Sequence, residues 1–367
     1  MKIAAIIDEF NECTPEQECF IQQVKTVSSC DCLILLMSGD FLQQGVPALD
    51  EKYIRAQQAV KVGADLVIEL PVYCTLSSPD TYAYAAISTL EMLHCVDELY
   101  IACHTNDISI LERIVQFLFI ENKDYQKKLK AYRKKGLSFY QAEAKAVDEF
   151  IPGAGNILSS PVNLFATEYM RALKRIYSRI RPCFIQADSL SPLHVREETA
   201  DNCPFISQLL YQELTDVSKN LDEIYGGTSM LTESIRETID SYDHFNDFSA
   251  RLQTPTRSHA NIRRYMLNLL LHIRKADIAV ARLYGFTLYF RILDASSRSF
   301  KAMEEIQKHT WTPLISDRIE LPLSPETKRE GSEKTFYQNL NGDAVQIMTS
   351  FDHRAHEIYL KNKEAST

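Results

Sequence analysis

Apolar residues in the first third of the chain fall into two alternating patterns. Ile3–Ile7, Cys32–Met37, Leu66–Leu70 and Leu99–Cys103 are short runs that are apolar at nearly every position, as strands buried on both faces are. Between them, Pro15–Val27, Ala48–Val62, Tyr82–Leu93 and Ile108–Ile120 read as helices; Leu49, Tyr53, Ala56 and Val60 recur every three or four positions along one side. This repeated strand–helix alternation predicts an α/β fold, a doubly wound parallel sheet with right-handed crossovers.

Further on, Lys123 to Lys135 holds seven basic residues against Asp124 and reads as a surface helix. Gly and Pro punctuate 151–161, and Phe165 to Ile180 is again amphipathic, with Phe165, Tyr169, Ala172, Leu173, Ile176 and Ile180 as its apolar stripe. A fifth strand is expected at Cys183–Gln186. Beyond about residue 190 the strand rhythm stops. Arg251 to Arg291 carries eight basic residues and one acid, Asp277, around a helical core at Ile262–Ala281. Thr287–Leu293 and Phe300–Lys308 then read as a strand and a helix. Two domains follow: a Rossmann-like one over 1–190 and a mainly helical one over 191–367 with a short α/β tail.

Composition narrows the class. With 45% apolar and 24% charged residues, 11 Gly and 13 Pro in 367, the chain is neither disordered nor fibrous. Its formal charge of −9 disfavours a generally basic nucleic-acid binder but leaves local patches free to act. The five apolar residues Ile3–Ile7, stopped by Asp8 and Glu9, are too few for a signal peptide, and no run approaches the ~18 apolar residues of a membrane span. Nine cysteines, irregularly spaced and odd in number, read as reduced thiols of a cytoplasmic protein. Cys95, Cys103 and His104 lack the second close pair that a four-ligand zinc site needs, so no metal is assigned. Neighbours on a strand point to opposite faces, which argues against Cys103–His104 as a nucleophile pair.

Ligands of such sheets bind beyond the carboxyl ends of the strands. Those positions read Asp8-Glu-Phe-Asn11, Ser38-Gly-Asp-Phe-Leu-Gln-Gln-Gly45, Glu69-Leu-Pro71 and Cys103-His104. Here the chain resembles the bacterial tRNA(Met) cytidine acetate ligases of the His-x-Gly-His nucleotidyltransferase superfamily. The matching stretches are Glu9-Phe10-Asn11, Met37 to Ala48, Lys52 to Ala56 and Gly63 to Pro71. Glu168-Tyr169, Ala172-Leu173 and His259 to Arg263 match as well, in the same order along most of the chain.

The resemblance implies an enzyme in which ATP and acetate form acetyl-adenylate, which acetylates the wobble cytidine of elongator tRNA(Met). It further implies that the Rossmann-like domain binds ATP while the helical domain helps to hold tRNA. Carried over on this resemblance, the nucleotide contacts are Ile7, Glu9, Asn11, Ser38, Gly39, Lys52, Arg55, Ser234 and Arg236. The defining motif belongs five to eight residues beyond Glu9, where this chain reads Thr14-Pro15-Glu16-Gln17. Thr14 and Gln17 replace two histidines and Glu16 replaces the glycine. Two imidazoles stabilise the charge that grows on the α-phosphate; losing one such donor typically costs ~10²–10³ in rate. A carboxylate beside the triphosphate adds repulsion.

Ala102, Val162 and Ala187 depart from the family's glycine, asparagine and arginine. Asn163 comes one place late, Gln43-Gln44 lack an arginine, and of the late Ser/Thr-rich motif only Ser234 and Ile235-Arg236 remain. The expectation is a catalytically impaired paralogue, a pseudoenzyme with no assigned catalytic residue and no cofactor, to which ATP binds weakly if at all. The alternatives are an active, divergent ATP-dependent acetate–tRNA ligase or other adenylating enzyme using groups such as Lys52 or Arg55, and a purely structural partner of another protein.

Blander roles stand beside these. Glu9 and Asn11 also suit helix capping, and Lys52 and Arg55 also suit a solvated basic pair. Surviving contact with tRNA is placed on Arg257, Arg263, Arg264, Arg274 and Lys275. In one continuous helix, Arg263 and Arg274, eleven residues apart, share a face, and so do Arg264 and Lys275.

Overall fold

The computed structural model describes residues 1–105, 107–120, 122–186, 203–216, 218–310, 312–318 and 332–366. Strands β1 (Ile3–Ile7), β2 (Cys32–Ser38), β3 (Leu66–Leu70), β4 (Glu98–Cys103) and β5 (Arg181–Gln186) pair in parallel in the order β5-β4-β1-β2-β3, as expected for a doubly wound sheet. Their apolar runs have the predicted cause. In β2, Cys32, Ile34 and Leu36 enter the cluster on one face of the sheet, and Leu33, Leu35 and Met37 enter the cluster on the other.

Two further strands complete a seven-stranded sheet. β6 (Phe290–Ala295) pairs antiparallel with β3, and β7 (Leu314–Ile315) lies parallel to β6. The predicted Thr287–Leu293 strand thus begins three residues later. The long final helix, Ser332–Ser366, packs against the segment that follows β3. Asp352 in it accepts from Val72 N–H at 2.9 Å, and Tyr289 donates to the same carboxylate.

Between β4 and β5 the chain inserts helices Ile108–Phe119, Lys123–Lys134, Phe139–Asp148 and Ala154–Ser159. These build a small core of their own around Ile114, Leu129, Val147 and Leu158. Helix Pro161–Ile176 then leads to β5. It begins four residues before the predicted Phe165 and stops at Tyr177, whose φ is 54°, so Ile180 lies outside it. The predicted Ala48–Val62 helix begins only at Lys52; in the loop before it, Ala48 N–H donates to Asp40 O and Leu49 N–H to Asn11 Oδ1.

The largest correction concerns Ile262–Ala281. It is two helices, His259–Leu270 and Lys275–Leu283. His272 takes a left-handed conformation (φ 58°), His272 N–H donates to Leu269 O, and Ile273 N–H reaches back to Asn268 O at 2.9 Å. That is a Schellman stop, usually signalled by glycine. Arg274 then caps the next helix. Arg263 and Arg274 therefore do not share a helix face, and the eleven-residue register carries no stripe. Ala187 and the boundary expected near 190–200 lie outside the described residues. No helix of the described residues is long and apolar enough to cross a membrane.

Candidate nucleotide site at the strand ends

The strand order reverses at β1, so the crevice between the carboxyl ends of β1 and β4 is where a doubly wound sheet takes its ligand. Among the described residues, the pocket in that crevice is small. Ile7, Asp8, Phe20, Ala102, Val162, Phe165 and Tyr169 are among the residues that leave about 40 Å³ between them. Pockets that bury a small ligand usually run to ~300–1,000 Å³. Val162 fills this wall, while Asn163 turns away and accepts from the backbone N–H of His104 at 2.8 Å.

The motif positions have a structural occupation. Thr14 is the N-cap of helix Pro15–Ser28: its hydroxyl accepts from Gln17 N–H at 3.3 Å, and Gln17 Oε1 accepts from Thr14 N–H at 3.2 Å. This reciprocal pair is a capping box with proline at the first helical position. Gln17 Nε2 also donates to Asp8 Oδ1 at 3.1 Å. Burial pushes the Asp8 carboxyl up, against hydrogen bonds from Phe10 and Gln17 that pull it back. Asp8 thus joins the site through Gln17, a role its place directly after β1 could have suggested.

Glu9 is buried and works inside the protein. Its Oε1 accepts from Gln43 N–H at 2.5 Å and from the Ser38 hydroxyl at 3.3 Å. Asn11 holds Leu49 N–H, and a Cβ on Gly39 would collide with the Glu69 carboxylate. Lys52 and Arg55 are equally committed. Lys52 Nζ lies 3.0 Å from Glu69 Oε1 and 3.7 Å from Asp40 Oδ2. Arg55 donates to the carbonyls of Glu9 (2.8 Å), Asp50 (2.9 Å) and Ser38 (3.2 Å), and to that of Gly39. Neither is the solvated cation that its position in a helix suggested; both are fully buried.

Lys52 belongs to a larger ionic cluster across the ends of β2, β3 and β6. Arg291 Nε meets Glu69 Oε2 at 3.2 Å and Asp352 Oδ2 at 3.7 Å, and His356 Nδ1 lies 3.0 Å from Asp40 Oδ2. Burial alone would lower the Lys52 ammonium, but Glu69, Asp40 and Asp352 hold it above its ordinary value. Asp352 and His356 come from the far end of the chain, where no local pattern marks them.

The remaining candidates lie elsewhere. Ser234 and Arg236 sit on helix Ser229–Thr238; Ser234 donates to Met230 O, and Arg236 lines a separate shallow pocket with Asp222, Thr232, Glu233 and Glu237. Arg264 is buried, its guanidinium on Gln43 O at 2.8 Å and on Asn261, so it ties the helical part to the strand-end loop instead of facing solvent. Arg263 donates to Asn246, Arg257 is half-buried, and Arg274 and Lys275 are exposed. Cys103 and His104 diverge: the thiol faces Ile185 O and the imidazole faces the Ser160 hydroxyl.

Burial pushes Glu9 and Glu168 up to about 7, as it does Glu69. For Glu9 the Gln43 N–H opposes the shift and Asp8 adds to it; for Glu168 Arg171 opposes and Glu143 adds. Each binds its proton more tightly in the folded chain than in the unfolded one, where a glutamate titrates near 4.5. Stability should therefore fall as pH rises from about 4.5 to about 7, and level off above it. Urea midpoints across this range check the sign; a midpoint rising toward pH 7 contradicts it.

Comparison with known proteins agrees with this architecture. The family model described as HIGH Nucleotidyl Transferase matches residues 1–191 and 191–366. The tRNA(Met) cytidine acetate ligase of Clostridium perfringens is 25% identical over 387 residues, covering 93% of this chain and 96% of that protein. The one from Thermoanaerobacter sp. is 26% identical and covers 86% and 88%. The one from Clostridium novyi reaches 34% over 189 residues, covering 51% and 47%. Among solved structures, Thermotoga maritima TmcAL bound with alpha-thio ATP superposes with a TM-score of 0.77 over 96% of this chain and 95% of that one, at 20% identity. The chain belongs to the HIGH nucleotidyl transferase family, as a divergent member of its tRNA(Met) cytidine acetate ligase group.

Proposed function

We propose that this protein is a tRNA(Met) cytidine acetate ligase-like paralogue that keeps the fold and an RNA-binding role while its ATP site has lost its chemistry. One observation carries the reading. The residues at the histidine positions, Thr14 and Gln17, satisfy each other as a helix cap and Gln17 holds Asp8, so neither position supplies an imidazole to a nucleotide. The crevice of about 40 Å³ and the commitment of Lys52 and Arg55 to protein partners support it. Glu16, in the first turn of the same helix, places a carboxylate where the family has glycine. The names of the relatives point to tRNA as the polymer in question.

Titration of ATP by calorimetry is the test. Binding should be undetectable or weaker than millimolar. A dissociation constant in the low micromolar range, worth about −7 to −8 kcal/mol, would favour the active, divergent ligase instead.

A further inference from the structure

Two buried carboxylates between the inserted helices and the rest of the protein share one cation. Glu143, on helix Phe139–Asp148, and Glu168, on helix Pro161–Ile176, are each 2% exposed. Arg171 Nη1 lies 2.7 Å from Glu168 Oε1 and 3.6 Å from Glu143 Oε1. The Tyr125 hydroxyl, from helix Lys123–Lys134, donates to Glu143 Oε1 at 3.1 Å. Tyr140 makes a second contact nearby. Its hydroxyl donates to Asp80 Oδ1 and accepts from Asp80 N–H, both at 3.2 Å, in the first turn of helix Pro79–Met92. Through Glu143 and Tyr140, helix Phe139–Asp148 is fastened to helices Pro161–Ile176 and Pro79–Met92.

These charges do not balance when every carboxyl is ionised. Glu168 is favoured as an anion by Arg171 and opposed by Glu143 and Asp80. Glu143 faces Arg171 and, farther off, Arg175, against the charge of Asp80. Burial keeps the Tyr125 and Tyr140 phenols neutral, pushing both far up. Arg264 approaches Tyr140 and Asp80 from the helical part but is committed to Gln43 O and Asn261. Burial raises Glu143 as it raises Glu168. One bound proton resolves the conflict: an acid and a carboxylate can share a guanidinium where two dry carboxylates repel. The inserted helices are also suited to open as a unit, because Ile114, Leu129, Val147 and Leu158 form a core apart from the two that flank the sheet.

We propose that Glu143, Glu168 and Arg171 form a proton-operated latch that holds helices Lys123–Lys134 and Phe139–Asp148 docked while one proton is shared, and lets them open locally when it is lost. Opening admits water to both glutamates, which then titrate near the ordinary 4.5. The docked state binds the proton more tightly, since Glu168 there stands at about 7. Docking is therefore firmest below about pH 4.5, weakens as pH rises toward about 7, and levels off above it. The latch requires neither ATP nor RNA.

Hydrogen–deuterium exchange of the full chain, read by mass spectrometry between pH 5 and 8, tests this. Protection of peptides from 122–149, with intrinsic exchange divided out, should fall by at least about tenfold between pH 5 and 7.5, since one proton released on opening changes the equilibrium by up to about tenfold per pH unit. Peptides of β2 should stay more protected throughout, which marks the opening as local. Glu168→Gln keeps an acceptor for Arg171 but cannot ionise. It should flatten the profile and leave 122–149 better protected than the wild type at pH 8, again by about tenfold or more. Glu143→Gln should do the same, which keeps the test decisive if Glu168→Gln does not fold. A flat wild-type profile, or one that both glutamines leave unchanged, overturns the latch. So does exchange of 122–149 in step with β2, because the segment would then open only with the whole protein.

Discussion

Replacing Lys52 with methionine should cost about 3–5 kcal/mol of stability at neutral pH. Removing one member of a buried ion cluster leaves its partners charged and dry, which costs far more than the pair contributes while intact. Lys52 is 2% exposed, and its ammonium is shared by Glu69 and Asp40, themselves 3% and 2% exposed. Arg291 and His356 remain but already serve Glu69, Asp352 and Asp40. The deficit should shrink at pH 5, because burial pushes Glu69 up to about 7 and the orphaned carboxyl can then take a proton. A double variant Lys52→Met/Glu69→Gln should recover part of the loss. Urea unfolding followed by circular dichroism measures all three; a loss below about 1 kcal/mol would mean that the cluster is solvated.

Acetate-dependent ATP–pyrophosphate exchange should run at least about 10⁴-fold slower than in a motif-intact relative, because each of two missing preorganised donors is worth ~10²–10³. The Clostridium perfringens protein is a suitable comparison. Exchange within about a hundredfold of that rate is the result that would defeat the pseudoenzyme reading, and it would require other groups to meet the α-phosphate. Gln17→His with Thr14→His is a poor rescue in this scaffold, since it breaks the capping box and removes the donor to Asp8.

How far the sequence could be read follows from where each signal resides. The central strands are visible because burial on both faces leaves continuous apolar runs. The crossing of β6 onto β3 was not visible, since an antiparallel strand from residue 290 joins the sheet by long-range pairing alone. The break after Leu271 was missed because His272 adopts the left-handed turn that glycine normally marks. Lys52 and Arg55 read as ligand-gripping cations or as a solvated basic pair, since charge predicts exposure or a bound anion; only the positions of Glu69, Asp40 and the strand-end carbonyls explain their burial. At Thr14–Gln17, by contrast, the residue types spell a capping box, with proline directly after its first residue.

The ionic cluster also sets an order of events during synthesis. Lys52 and Glu69 leave the ribosome well before Arg291, Asp352 and His356, which follow more than 200 residues later. Until then Lys52 alone serves the Asp40 and Glu69 carboxylates, and until β6 is made the β3 edge is uncovered, the kind of surface that recruits chaperones or unwanted strands. Messenger RNAs truncated before the codon for His356 should therefore yield insoluble or degraded chains, even though every strand of the parallel sheet has already been made.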